Sequence, residues 1–264
     1  MLRVSTTWDP GQYLKFRDER TRPASDLAAR IEFSSPAAIL DVGCGPGNST
    51  EVLHERWPTA RITGLDSSAE MIAKARASHD WGEWVCADAA SFGAGSDGKA
   101  WDLVFSNAVL QWIPDHERLV PSLFGLVRPG GALAVQVPAN AGSPLHRSLV
   151  RAAEDPRWSR LTSGCASRLV YREPSFYYEI LCGIAARLEM WETVYYHEMP
   201  DHLALIEWYK GTGMRPCLER LPDEASRRAF EDAVLEGCRA EYPAQPNGRV
   251  IYPFRRLFFV AYAR

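Results

Sequence analysis

Ile39-Leu40-Asp41-Val42-Gly43-Cys44-Gly45-Pro46-Gly47 is the stretch that decides the fold class. A short apolar run ending in turn residues reads as a buried strand. Three glycines spaced two apart follow it, and a helical pattern begins at Asn48. Glycine suits such a turn because the backbone must bend sharply and let a ligand approach without Cβ atoms in the way. The dinucleotide fingerprint needs a third glycine where this chain has Asn48, and no Gly-Lys-Ser/Thr follows to make a P-loop. The turn therefore suits a ligand that presents no phosphate.

Outward from this turn, short apolar runs alternate with helical patterns, as in a parallel α/β sheet. Residues 37–42, 61–65, 83–86, 101–106 and 132–137 read as strands, and 48–57, 68–78 and 116–127 as helices. Pro129-Gly130-Gly131 reads as the turn that ends the last of these helices. An arm over residues 9–31 precedes the first strand, with Asp9 as N-cap and Pro10 at the first helical position. In the second half, 175–187 reads as a helix and 188–197 as extended. Residues 201–243 read as a helical insertion broken at 211–216, and 256–263 as a closing strand.

Composition narrows the classes. The 264 residues are 46% apolar and 24% charged, the proportions of a globular chain able to bury a large core. The net charge of −3 gives no general attraction to nucleic acid or anionic lipid. Lys occurs only at positions 15, 74, 99 and 210, against 26 Arg, the side chain that clamps carboxylates bidentately. No apolar run approaches the roughly 18 residues of a membrane span, and Met1 to Pro10 lacks the apolar core of a signal peptide. Cysteines 44, 86, 165, 182, 217 and 238 show neither CxxC nor zinc spacing. They read as buried thiols of a cytoplasmic protein without a bound metal.

Two carboxylates complete a pattern. Asp66 ends the second strand, 23 residues after Gly43, close to the offset of roughly 20 at which an acid meets a ribose diol. Asp88 ends the third strand, where it can accept an adenine amine, and Asn107 ends the fourth. Asp41 to Gly47 resembles the first motif of class I S-adenosylmethionine-dependent methyltransferases. Gly64-Leu65-Asp66-Ser67-Ser68 resembles their ribose loop and Ala87-Asp88-Ala89 their adenine motif. Asp102 to Asn107 resembles their fourth strand, and Leu126 to Leu133 the entry to the fifth. Helix capping or strand–helix packing would explain any one of these pieces; together and in register they point to the cofactor. The resemblance implies one Rossmann-like α/β domain over residues 1–264, with a seven-stranded, mostly parallel sheet and helices on both faces. Residues 1–31 and 198–248 would form a helical cover over the substrate. S-adenosylmethionine would be the cofactor, with Tyr13, Arg22, Asp41, Gly43, Gly45, Asp66, Ser67, Met71, Asp88, Ala89 and Asn107 as its contacts.

A narrower resemblance spans nearly the whole chain. Trp8-Asp9-Pro10, Tyr13, Phe16, Glu19-Arg20, Arg22-Pro23, Gly45 to Thr50, Asn107, Gln111-Trp112, Pro114-Asp115-His116, Tyr195-Tyr196-His197, Met199-Pro200, Thr212-Gly213, Arg215-Pro216, Asn247-Gly248 and Arg256-Leu257-Phe258 are similar to the trans-aconitate 2-methyltransferase family. It implies monomethyl ester formation on a small tricarboxylate. A carboxylate is ionised at neutral pH and needs no general base, so positioning is the main demand. No catalytic residue is assigned. Tyr13, Arg17 and Arg20 share one helical face, and Arg17, Gln111, Trp112, Tyr195, His197, Arg215 and Arg255 are the substrate candidates, Arg215 foremost. A solvated arm, a packed tryptophan and a structural histidine are the plainer readings of Arg17 and Arg20, Trp112 and His197. Malonyl-acyl carrier protein O-methyltransferase is the alternative, opposed by acids at 219, 223 and 224 that dilute a basic docking patch. A non-catalytic S-adenosylmethionine sensor is the alternative of another class. A closed small-acid pocket needs no partner chain, which makes a monomer the expectation.

Overall fold

The computed structural model describes residues 17–93, 101–166 and 169–264, with side chains from Thr21 onward. Helix α1 (Arg17–Arg30) leads into β1 (Ala38–Val42), α2 (Asn48–Arg56), β2 (Arg61–Asp66), α3 (Ala69–Ser78) and β3 (Glu83–Cys86). Then come β4 (Trp101–Asn107), a 3₁₀ turn (Leu110–Trp112), α4 (His116–Gly125) and β5 (Val127–Pro138). The second half holds α5 (Pro144–Glu154), α6 (Ser159–Thr162), α7 (Pro174–Leu181), β6 (Arg187–Met199), α8 (His202–Lys210), α9 (Arg215–Leu218), α10 (Glu224–Arg239) and β7 (Val250–Tyr262).

Seven strands form one sheet in the order β3-β2-β1-β4-β5-β7-β6. The first five run parallel, and β7 pairs antiparallel with both β5 and β6. All five residues of β1 are buried, as a parallel strand covered on both faces requires. One face packs on α1 and α2 through Leu27, Ile31, Leu53 and Trp57. The other packs on α4 and α7 through Leu119, Leu123, Tyr177 and Leu181.

Pro129-Gly130-Gly131 does not end a helix. It forms a bulge inside β5, where pairing with β4 shifts between Trp101 and Leu103. Gly130 has φ 75° there, and a Cβ on Gly131 would lie 2.6 Å from the Asp102 carbonyl.

A third apolar cluster lies beyond the sheet. Leu145 and Leu149 of α5, Leu205 and Trp208 of α8, and Phe230 and Val234 of α10 pack together with Met199, Val250 and Tyr252. The paired strands β6 and β7 thus run out of the sheet into these helices. Side chains expected to be free thiols are joined here: Cys165 and Cys217 form a disulfide, Cα–Cα 5.2 Å, tying the segment after α6 to α9. Of the others, Cys44 and Cys238 are buried, whereas Cys86 and Cys182 are exposed. Residues 52 apart carry no spacing signal; only the folded helices bring Cys165 to Cys217. No helix of the described residues is long and apolar enough to cross a membrane.

Candidate functional site

The glycine turn is strapped to the neighbouring strand. The Leu65 carbonyl accepts the N–H groups of Gly43 at 2.7 Å and Cys44 at 3.0 Å. Gly43 has φ 73°, and a Cβ there would meet Val109 at 2.2 Å. At Gly45, φ 56°, a Cβ would meet nothing within 4 Å, so the turn opens onto space beyond the end of β1. Beneath it Asp41 is fully buried, its Oδ2 accepting the hydroxyls of Ser49 and Thr50, each at 2.7 Å. Burial pushes this carboxyl up to about 6, against the two hydroxyl bonds. The chain thus holds the first turn of α2 onto β1 through one side chain.

Asp66 lies beside this opening. It accepts the Gly45 N–H at 3.0 Å and the Ser68 N–H at 2.8 Å, closing the β1 and β2 turns onto each other. Burial raises its carboxyl above the usual range despite these bonds. Ser67 is exposed beside it. Ser68 caps α3 by accepting the Met71 N–H, and Met71 is buried. Asp88, exposed, accepts the Ala90 N–H at 2.9 Å, next to buried Ala89. A glycine opening flanked by acids on the next two strands fits a nucleoside with a charged amino-acid arm. Tyr13 lies outside the described residues, and the side chains of Arg17 and Arg20 are outside the description as well.

Past β4 the chain turns sharply: Ala108 takes φ 58°. The Gln111 side chain, in a residue 4% exposed, donates to the Ala108 carbonyl at 2.7 Å, and the Gln111 backbone carbonyl accepts the Val170 N–H at 2.8 Å. Buried His116 anchors the same 3₁₀ turn, with Nε2 2.7 Å from the Leu110 carbonyl and Nδ1 3.0 Å from the Tyr177 hydroxyl. These bonds set Asn107, Gln111 and Trp112 on the wall of a cavity whose empty space, mouth included, is ≈ 760 Å³. Tyr171, Tyr209, Tyr252 and Arg256 line it as well. Two buried carbonyl oxygens there, Asn107 Oδ1 and Gln111 Oε1, have no hydrogen-bond partner.

Strand register separates the remaining candidates. Asn107 pairs with Gln136, and Gln136 with Phe258, so Arg256, two residues along, shares their face. Tyr195 and His197 lie on that face too, opposite Phe254 and Tyr252. The Tyr195 hydroxyl donates to Asp26 at 2.6 Å, and Arg22 lies 5.6 Å from its ring centroid. Arg22 thus sits near the Arg256 side of the sheet. The His197 ring stacks parallel to Tyr195, and burial, aided by Arg256 and Arg22, pushes it down to about 4.

Arg255 points the other way, donating to the Ala139 carbonyl at 3.1 Å and pairing with Glu192 at 3.7 Å. Arg215 pairs with Glu219 at 2.7 Å, and although Thr212 and Gly213 of its loop line the cavity, Arg215 does not. The sequence reading therefore brought Asn107, Gln111 and Trp112 to the cavity, and it had Arg256 in a motif of the family resemblance but not among the site candidates. A further signal was Arg255-Arg256 side by side on a strand, where alternation sends one of the pair inward.

Comparison with known proteins gives this geometry a family. Residues 40–135 match the family described as "Methyltransferase domain". A trans-aconitate 2-methyltransferase of Azoarcus sp. is 46% identical over 261 residues, covering 97% of this chain and 98% of that protein. One from Methylobacterium nodulans is 46% identical over 256 residues, covering 96% and 97%. The chain belongs to the trans-aconitate 2-methyltransferase family. It is an S-adenosylmethionine-dependent methyltransferase. The YcgJ protein of Bacillus subtilis shares the fold, with TM-score 0.62 at 11% identity over 92% of this chain and 99% of that one. The methyltransferase match spans β1 to β5, and the similarity to the two relatives extends through the helices beyond the sheet as well.

Proposed function

We propose that this methyltransferase esterifies one carboxylate of trans-aconitate, with no general base. The observation that carries the reading is the cavity beside the end of β4. Among the described residues lining it there is a guanidinium, amides, phenols and indoles, and no carboxylate, histidine or lysine. Family membership supplies the acid, and a lining of this kind accepts an anion that arrives ionised.

When bound, S-adenosylmethionine supplies an electrophilic sulfonium methyl: a carboxylate oxygen takes the methyl, the S–CH₃ bond breaks, its electrons stay on sulfur, and no proton moves. The residues do the positioning. Asp66 would hold the ribose diol, Asp88 the adenine amine, and the Gly43–Gly47 turn admits the amino-acid arm. Ser67, Met71 and Ala89 border the nucleoside, and Asn107 lies between the two halves of the site. Gln111 and Trp112 close the acid against the donor, with α5, α8 and α10 as its cover. Fixing both reactants in line is worth up to roughly 7–11 kcal/mol in well-oriented cases. Such an enzyme works in the cytoplasm, where small tricarboxylates are, and one chain holds all its parts, so a monomer suffices.

The test is a panel of acids with labelled S-adenosylmethionine: trans-aconitate, cis-aconitate, isocitrate, citrate and malonyl-acyl carrier protein. Trans-aconitate should have the highest kcat/KM. Preferential labelling of the carrier protein would contradict the assignment.

A further inference from the structure

Tyr209 lines the cavity and is 6% exposed. The chain wraps around it at the end of α8, where its carbonyl accepts the N–H groups of Thr212 and Met214, each at 3.0 Å. That wrap lays Gly213, another lining residue, against the phenol head. A Cβ on Gly213 would lie 2.3 Å from Cε2, 2.5 Å from Cζ and 2.7 Å from the hydroxyl oxygen of Tyr209, so glycine leaves the phenol its place. The hydroxyl itself meets a histidine. Ser143, also in the lining, caps α5 by accepting the His146 N–H at 3.2 Å, which sets His146 in the first turn of that helix. His146 Nδ1 lies 2.7 Å from the Tyr209 hydroxyl oxygen. The His146 ring also meets the ring of Tyr171 edge-on, centroids 5.5 Å apart, and Tyr171 lines the cavity too.

This pair is set up to donate. Burial, with the phenols of Tyr171, Tyr252 and Tyr242 nearby, holds the Tyr209 proton well above the ordinary phenol range. Burial also pushes the His146 ring below its usual value, so at neutral pH it carries a single proton. With that proton on Nδ1, the ring donates to the phenol oxygen and leaves the phenol's own proton for the cavity. A hydroxyl donates strongly to an ionised carboxylate. Chemistry decides which carboxylate. An attacking oxygen loses its charge as it takes the methyl, so a hydrogen bond there would hold the substrate more tightly than the transition state and slow the step. A carboxylate that stays ionised is held equally in both. We infer that the Tyr209 hydroxyl donates to a non-reacting carboxylate of the acid, with His146 as the positioning residue that turns its proton to the cavity. This rests on the acid-substrate reading above.

The test is a double-mutant cycle read on trans-aconitate. It compares wild type, Tyr209→Phe, His146→Leu and the two together, with His146→Asn added because its amide can donate from the place of Nδ1. Circular dichroism checks folding, and calorimetry checks the affinity for S-adenosylhomocysteine, which should stay unchanged. Losing a hydrogen bond to a charged group should raise the KM of Y209F roughly 10- to 100-fold, with kcat within a few-fold of wild type. H146L should raise KM alone but add nothing to Y209F, and H146N should stay within a few-fold of wild type. An unmoved KM in folded Y209F, a raised kcat, or an H146L effect of equal size in both backgrounds would overturn the assignment and leave the trans-aconitate reading intact. If Y209F does not fold, equal KM values for H146L and H146N would overturn it instead. No wild-type turnover of trans-aconitate would overturn the acid reading and this assignment with it.

Discussion

The carboxylate of Asp66 accepts N–H groups from two different turns, Gly45 and Ser68. Its position was legible in the sequence as an acid at the end of the second strand; its second task, holding the glycine turn, was not, because that needs the two loops side by side. Asp66→Ala should therefore weaken S-adenosylmethionine binding by about 1–3 kcal/mol, the usual loss for a charged hydrogen bond. Calorimetry checks this, and an unchanged Kd would remove the ribose role. Asp41 makes a different prediction. Its carboxyl is raised from 3.8 to about 6 by burial, so the folded protein holds a proton that the unfolded chain has lost. The stability this proton brings is fully present below pH 3.8 and is lost as pH rises through 6. Relative to Asp41→Asn, the wild type should lose about 2 kcal/mol between pH 4 and pH 7. Urea denaturation of the pair at several pH values reads it directly, and a constant gap would contradict it. Arg256 shows the limit of reading residues singly. Both Arg255 and Arg256 head apolar runs on their own faces of β7, so alternation alone does not say which faces a site.

At the scale of elements, the first half was legible because a parallel sheet buries both faces of its strands, leaving continuous apolar runs between helical patterns. Pro129-Gly130-Gly131 misled because the same residues that stop a helix also make a strand bulge. The second half hides more. Helix α5, capped by Ser143 and opened by Pro144, was not read, and β7 begins at Val250, six residues before its apolar run. In α5 the apolar residues 145, 149, 152 and 153 do repeat at helical spacing, but they pack on other helices of the cover and not on the sheet. α5 and α10 meet at Ser148 and Gly237, where a Cβ on Gly237 would lie 2.2 Å from the Ser148 hydroxyl. That hydroxyl is buried and donates to the Val234 carbonyl at 2.7 Å, so it has nowhere to swing. Gly237→Ala gains up to about 1 kcal/mol in helix propensity, against roughly 1–3 kcal/mol for overpacking. The steric cost should win, lowering stability in urea denaturation; a stabilised variant would show the helices separating freely.

For the whole molecule, β1, β2 and β3 end beside the glycine turn, Asp66 and Asp88, and the paired strands β6 and β7 run out to the helices α5, α8 and α10. On the proposed function, the acid and the methyl donor meet where these two parts join. Such a site has little to titrate near neutrality. A tricarboxylate is ionised above about pH 6, arginine keeps its charge, and His197 stays neutral with its value pushed down to about 4. The kcat/KM for trans-aconitate should be level from pH 6.5 to pH 9; a limb rising through pH 7–8 in steady-state rates would reveal a base. The most direct test is the product itself. Protein incubated with methyl-labelled S-adenosylmethionine and trans-aconitate should yield a base-labile monomethyl ester and an equal amount of S-adenosylhomocysteine. Tight binding of S-adenosylmethionine with no label on the acid, or label that survives base, would contradict carboxyl methylation.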